Sequence, residues 1–170
     1  MKLTKTERLL LANQLLILEE LTDDPAEVKH YEQQRTAIQD GYELNYSDAF
    51  QNIDDDTLSE DGCREVLDIL DMYRVITFVI RKVSQSNPVQ HHHYLKFSGF
   101  DGNHETELMA YTRYNIIDLN RYHELRSKDE DFNSHSPRLD IYRRMLTEWR
   151  KSADKEKLTE GDVKRILDAT

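Results

Sequence analysis

The feature that most constrains this chain is a helix-length stretch from Arg64 to Val83. Its apolar residues recur at spacings of three and four, which gives one broad apolar face at the period of an α-helix. Such a face must be covered by other elements. The stretch therefore predicts an all-α fold, a multihelical array of about six or seven helices around a central apolar helix at 64–83. The apolar positions are Val66, Leu67, Ile69, Leu70, Met72, Tyr73, Val75, Ile76, Phe78, Val79, Ile80 and Val83.

Short local signals predict where the other helices begin. Thr4 with Glu7 has the spacing of a capping box, in which each side chain accepts a hydrogen bond from the other residue's backbone. Asp24 followed by Pro25 is typical of an N-cap and first helical residue, and Gly41 of a C-terminal stop. The further predictions are a short helix at 47–53, an acidic turn at 54–60, Ser59 as N-cap of the central helix, an extended piece at 91–100, a helix from His104 to about Leu125, irregular chain at 127–136, a helix from Ser136–Pro137 to about Lys151, and a terminal helix opened by Thr159 and Asp162.

The first predicted helix carries a wide stripe of leucines. We interpret it as a buried helix and not as a targeting segment, because polar residues interrupt the apolar run and no small-residue cleavage site follows. The central run is too short to span a bilayer. These observations predict a cytoplasmic protein with no membrane partner. The leucines are Leu9, Leu10, Leu11, Leu15, Leu16, Leu18 and Leu21.

Length and cysteine content bound the organisation of the chain. Its 170 residues fit a single helical domain over 1–170, and no linker suggests a second one. Cys63 is the only cysteine, so an intramolecular disulfide is excluded and nothing requires an oxidising compartment. The position of Cys63 in the first turn of a helix would favour a thiolate, but we interpret it as a structural thiol.

The charge is acidic and unevenly distributed. A net charge of −10 argues against nucleic acid as a partner, because attraction to phosphate supplies the sequence-independent part of that affinity. Between Glu19 and Asp71 there are 17 Asp or Glu against 3 Lys or Arg. This acidic region 19–71 is either a solvated surface or a face for a basic protein partner.

Motifs for cofactors or metals are weak or missing. The triple histidine His91, His92 and His93 could supply imidazole ligands, but neighbouring residues in an extended segment point to opposite faces. We therefore interpret them as exposed loop histidines, and we predict no metal and no cofactor. Taking Asp54 as the first position of a calcium loop puts Ser59 where glycine is required. The sequence also has no GxxxxGK[ST], GxGxxG or HExxH motif.

Seven collinear segments, spread over essentially the whole chain, resemble the YfbU family, a group of small bacterial proteins with no established biochemical function. The resemblance implies an all-helical cytoplasmic protein, and it brings no active site with it. The triple histidine is not part of the pattern. The segments are RLLLANQ at Arg8, DGYEL at Asp40, CREVLDILDMYR at Cys63, FSGFDGNHE at Phe97, RYHEL at Arg121, DFNSHSP at Asp131 and YRRMLTEW at Tyr142.

Two of these segments form polar turns before predicted helices, where functional side chains tend to lie. Local folding explains them equally well, with Asp101 and Asn133 as backbone caps and the phenylalanines as plugs. The candidate ligand- or partner-binding residues are Asp101, Arg121, His123, Asn133 and His135.

This sequence contains more apolar stripes at helical spacing than groups of residues typical of a catalytic or metal site. The predicted function is therefore that of a non-enzymatic interaction or regulatory protein that associates with itself as a homodimer. One alternative is a hydrolase or small-ligand enzyme with a polar site near 97–104 and 121–137. Another is a helix-turn-helix regulator, which the acidic balance opposes.

Overall fold

The computed structural model describes residues 2–53, 57–126 and 131–170. Over these ranges the secondary structure is helical and contains no strand, which confirms the all-α class. Two compact units are present, Met1–Thr57 and Leu58–Thr170, called here the first and the second unit. The expectation of one domain over 1–170 stays a prediction. The α-helices are α1 (Lys5–Leu21), α2 (Pro25–Asp40), α3 (Glu60–Ile80), α4 (Thr106–Arg113), α5 (Leu139–Trp149) and α6 (Glu160–Leu167).

Four helix starts lie where the local signals place them. At α1 the Glu7 backbone N–H donates to the Thr4 hydroxyl over 3.2 Å, and the Thr4 N–H donates to the Glu7 carboxylate over 2.7 Å. Asp24 caps α2, and Gly41 ends it with a φ of 83° in the left-handed region. The same logic holds at Ser59 for α3 and at the capping box of Thr159 for α6. These predictions are confirmed because each signal is complete within a few residues.

The first unit is a hairpin of α1 and α2 followed by a 3-10 helix at Glu43–Phe50. That 3-10 helix replaces the short helix expected at 47–53. Arg8 fastens the hairpin, since its Nε donates to the Ile38 carbonyl over 2.7 Å and its guanidinium also reaches the Gln39 carbonyl. The core of this unit is small. Its buried members are Ala12, Leu15, Ile38 and Tyr46.

The second unit is built around α3. Helices α4, α5 and α6 all pack against it, as does a 3-10 turn at His123–Leu125. The central-helix prediction is confirmed, although α3 ends at Ile80 and not near Ser84. Its fully buried positions lie on one face at helical spacing. They are Val66, Ile69, Leu70, Met72, Tyr73 and Ile76.

The long helix expected from His104 to Leu125 is wrong. Helix α4 covers only Thr106–Arg113 and continues as a π-helical turn at Tyr114–Asp118. The chain then leaves the helix through Asn120 and Tyr122, whose φ values of 50° and 49° are left-handed. Left-handed conformations are unfavourable in non-glycine residues and incompatible with a continuing right-handed helix, so the helix cannot pass this point.

Three other predictions from the sequence are not matched by the described structure or lie outside it. Helix α5 begins at Leu139, and Ser136 does not cap it. The segment 91–100 contains the end of a 3-10 helix, Pro88–His91, and only an isolated bridge at Phe100. The acidic run at 54–56, and with it the calcium-loop comparison, lies outside the described residues, as do positions 127–130 of the predicted irregular segment.

Candidate functional site

Two loops of the second unit meet in an arrangement called here the loop junction, residues 97–105 and 131–139. A single parallel bridge joins them, with the Phe100 N–H donating to the Phe132 carbonyl over 2.9 Å and the Ser134 N–H to the Phe100 carbonyl over 3.0 Å. Gly99 makes the approach possible. Its φ is 84°, and a Cβ there would lie 1.7 Å from the Phe132 carbonyl oxygen. No other residue type fits this position without moving the backbone.

Asn133 fastens the junction from the second loop. Its Oδ1 accepts from the Gly102 N–H over 3.1 Å and from the His135 N–H over 2.9 Å. Two residues close to Asn133 in the chain, Phe132 and His135, have left-handed φ values of 52° and 55°. Such conformations cost of order 1–3 kcal/mol each, so they persist only where surrounding contacts hold them. The Oδ1 of Asn133 is engaged with backbone N–H groups that hold the two loops in this conformation.

Asp101 is the buried carboxylate of the junction, with 2% of its surface exposed. It accepts from the Asn103 N–H over 3.3 Å and pairs with Nδ1 of His104 at 2.5 Å. The hydrogen bond from His104, followed by the Asn103 bond and the charges of His104 and His135, lowers the pKa of Asp101 from its ordinary value although burial opposes the shift. Nδ1 of His104 faces the carboxylate, so Nε2 is directed away from it, and 71% of this side chain is exposed.

Glu105 is the junction residue that the sequence did not indicate. Its carboxylate accepts from the Asp101 N–H at 2.9 Å, from the Arg138 N–H at 2.9 Å and from the Leu139 N–H at 2.8 Å. The last two are orphan donors at the start of α5, so Glu105 caps that helix from 34 positions away. In the sequence, Ser136 followed by Pro137 indicates a local cap instead, and nothing points to Glu105.

The other two candidate residues lie elsewhere. Arg121 and His123 are exposed in the left-handed turn after α4, and their neighbours point inward. The Tyr122 hydroxyl donates to Asp71 over 3.0 Å, and Glu124 accepts from Nε of Arg74 over 2.6 Å. Burial and the Asp71 carboxylate raise the pKa of Tyr122 to about 12. Within the described residues, neither Arg121 nor His123 makes a hydrogen bond or ion pair to Asp101, Asn133 or His135.

The Asp101–His104 pair resembles the base-and-orienter part of a hydrolytic site. Acyl transfer would also need a nucleophile within reach of the imidazole. Over the part of the chain that the structure describes, the only side chain hydrogen-bonded to His104 is Asp101, and no group of three His, Cys, Asp or Glu could hold a metal ion. What the junction does, on these contacts, is fasten two loops and the start of α5.

The triple histidine is divided among local contacts. The Tyr94 N–H donates to Nδ1 of His92 over 3.3 Å, and Nε2 of His92 lies 3.8 Å from Asp168. The ring of His93 meets that of Tyr94 edge-on, with centroids 4.7 Å apart. His91 and His93 are exposed. The three rings have separate surroundings and do not converge.

A second candidate surface lies in the first unit, on α1. The leucines of α1 are expected from the sequence to be buried, and for most of them this prediction is wrong. Only Ala12 and Leu15 of this helix are buried, whereas large apolar side chains on its other face are 43–76% exposed. This face, called here the α1 stripe, consists of Leu9, Leu10, Leu16, Ile17 and Leu21.

No helix among the described residues combines the length and the apolar composition needed to cross a membrane.

Over the described ranges, the fold and these two regions define a small all-helical protein. In comparison with known proteins, the YfbU domain model matches residues 1–169, and the chain belongs to the YfbU family. It is similar to UPF0304 protein MJECS11 of Methanocaldococcus jannaschii, at 37% identity over 175 residues that cover 98% of this chain and 97% of the relative. The family resemblance inferred from the seven segments is thereby confirmed, and the biochemical function of this family is uncharacterised.

Proposed function

We propose that this protein is a non-enzymatic interaction or regulatory protein of the cytoplasm that associates with itself. The observation that carries the proposal is the α1 stripe. Scattered apolar side chains are normal on protein surfaces, but a contiguous group on one helix face is typical of a protein contact. Five such side chains on a 17-residue helix make a strip about 26 Å long at most.

The chemistry of the loop junction supports the non-enzymatic part of the proposal. The side-chain oxygens of Asn133 and Glu105 accept from backbone N–H groups, and Asp101 accepts from a backbone N–H and from His104. A catalytic site needs polar groups that are free to engage a substrate, whereas these oxygens are engaged within the junction. The exposed imidazole of His104 has no nucleophilic side chain hydrogen-bonded to it among the described residues. The acidic region 19–71 supports a further partner class, a basic protein, which would add to self-association and not replace it.

Sedimentation velocity of the purified chain from low to high micromolar concentration tests the proposal. The expected result is a concentration-dependent shift from 20.2 kDa to twice that mass. A matched control is Leu44→Ser, which removes an apolar side chain that is 91% exposed in the same unit but outside α1 and should leave the shift unchanged. A monomer at the highest concentration contradicts self-association.

A further inference from the structure

We infer that the α1 stripe pairs with the α1 stripe of a second copy in antiparallel orientation. The twofold axis passes between the two helices at the level of Asn13. This inference rests on the proposed self-association and specifies its surface, its direction and its register. Its basis is a pattern on the exposed face of α1 that is complementary to itself only in one direction.

The stripe has two apolar edges and a polar midline. One edge is Leu9 and Leu16, which are seven residues apart, and the other begins with Leu10 and Ile17, also seven apart. The midline between the edges has the same spacing and consists of Thr6, Asn13 and Glu20, all exposed. A seven-residue repeat keeps one seam facing a partner helix. A polar asparagine within such a seam fixes the register of the pair.

Antiparallel pairing about Asn13 places apolar groups opposite apolar groups. Residue i then faces residue 26 − i of the second copy, so Leu9 lies opposite Ile17 and Leu10 opposite Leu16 at both ends of the contact. The two Asn13 amides face each other on the axis, where each can donate to and accept from the other. The pairing would remove eight large apolar side chains from water, four from each copy, while Leu21 lies beyond them and faces Lys5 of the second copy.

The charges along α1 favour the same direction. Its N-terminal end carries Lys2 and Lys5, and its C-terminal end continues into Glu20, Asp23 and Asp24. In the antiparallel pair the basic end of one copy meets the acidic end of the other, and the helix dipoles oppose each other favourably. A parallel pair would instead place Glu20 against its own copy, and like charges so placed repel. A closed twofold contact also leaves no free stripe for further growth.

Site-specific crosslinking distinguishes the direction and register. In a Cys63→Ser background, which leaves no native thiol, single cysteines are placed by Asn13→Cys, Thr6→Cys and Glu20→Cys, and a short bis-maleimide is added. Asn13→Cys is expected to crosslink to itself. Thr6→Cys and Glu20→Cys should each fail alone, because 14 residues separate the equivalent positions by about 21 Å across the axis. Mixed, with one of them carrying a tag, those two should crosslink to each other.

Leu44→Cys in the same background gives the rate of crosslinking by collision, since this exposed position lies outside α1. Asn13→Cys should exceed that rate several-fold. Self-crosslinking of both Thr6→Cys and Glu20→Cys would mean a parallel pair and overturn the inference. Asn13→Cys at the collision rate in a protein that sediments as a dimer would also overturn it, while self-association stands. If every variant and the parent sediment as monomers, the proposed function fails together with the inference.

Discussion

Both units of this chain are built from amphipathic helices, but they bury the apolar faces of those helices to different extents. In the second unit most of the apolar face of α3 is covered, with Ile69, Met72 and Ile76 fully buried and Phe78 left 44% exposed. In the first unit the buried core is four residues, and the longest row of apolar side chains lies in contact with solvent. The difference teaches that hydrophobic periodicity reports a face that needs cover and does not report where the cover comes from.

The comparison predicts that the second unit depends on its loop junction most of all. Gly99→Ala should destabilise it by about 4 kcal/mol or more, because alanine is strained at this φ and its Cβ would overlap the Phe132 carbonyl. Urea unfolding followed by the fluorescence of Trp149 measures this, since Trp149 is the only tryptophan and is 6% exposed in this unit.

Gly161→Ala is the matched control for that substitution. Gly161 lies in α6, where the nearest atom to an added Cβ is the Thr159 hydroxyl oxygen at 3.7 Å. Alanine should be neutral or stabilise the protein by about 0.5–1 kcal/mol. Equal effects of the two substitutions would show that the close approach of the two loops at Gly99 does not matter to the second unit.

The second prediction compares the two apolar faces directly. Ile76→Ala should cost about 3 kcal/mol by Trp149 fluorescence, because the side chain is fully buried and its removal leaves a cavity. Leu9→Ala, at 61% exposure, should change the free energy of unfolding of the monomer by about 0.5 kcal/mol or less, measured by far-UV circular dichroism because Trp149 lies in the other unit. Its effect should appear in sedimentation as weaker self-association. A loss of several kcal/mol in a monomer would mean that the α1 stripe is covered within one chain.

The third prediction concerns the remote cap of α5. Glu105→Gln should destabilise the second unit by about 1–3 kcal/mol, because an amide loses the charge and brings its own donors toward the N–H groups of Arg138 and Leu139. Glu107→Gln is the control, since Glu107 is an exposed acid in the first turn of α4. It should cost at most about 0.5 kcal/mol in the same urea titration. Equal losses would make Glu105 a surface charge and not a cap.

How well the sequence predicts a feature depends on how far apart along the chain the residues that form it lie. The capping boxes at Thr4 and Thr159 are complete within three residues, and both helix starts are found. The cap that Glu105 supplies to Leu139 spans 34 positions, and nothing local at either residue indicates the other. The candidate site divides along the same line, since Asp101, Asn133 and His135 lie in the junction, whereas Arg121 and His123 lie in the exposed turn after α4.

The prediction that the leucines of α1 are buried fails for a different reason. Leucines occur on nearly every side of α1, so periodicity alone cannot tell which of them face α2 and which face outward. The choice is made by tertiary contacts, among them the Arg8 hydrogen bond to the Ile38 carbonyl that sets the rotation of α1 in the hairpin. Apolar residues all round a helix predict that the helix is covered on more than one side. In the hairpin, α2 covers only one side of α1.

The smallest expected effect is the pH dependence contributed by Asp101, and it sharpens the contrast between the units. Its pKa is lowered in the folded state by the His104 hydrogen bond, so the stability it contributes is complete above its unfolded pKa of about 4. That contribution is lost as the pH falls through the lowered folded value. Asp101→Asn should therefore flatten the acid side of the stability profile of the second unit, measured by Trp149 fluorescence from neutral pH downward. Asp140→Asn, whose side chain is 87% exposed, should leave that slope as it is. If both substitutions leave the slope unchanged, the Asp101–His104 pair does not tie the junction electrostatically, and the stability of the second unit comes from apolar burial and the Glu105 cap.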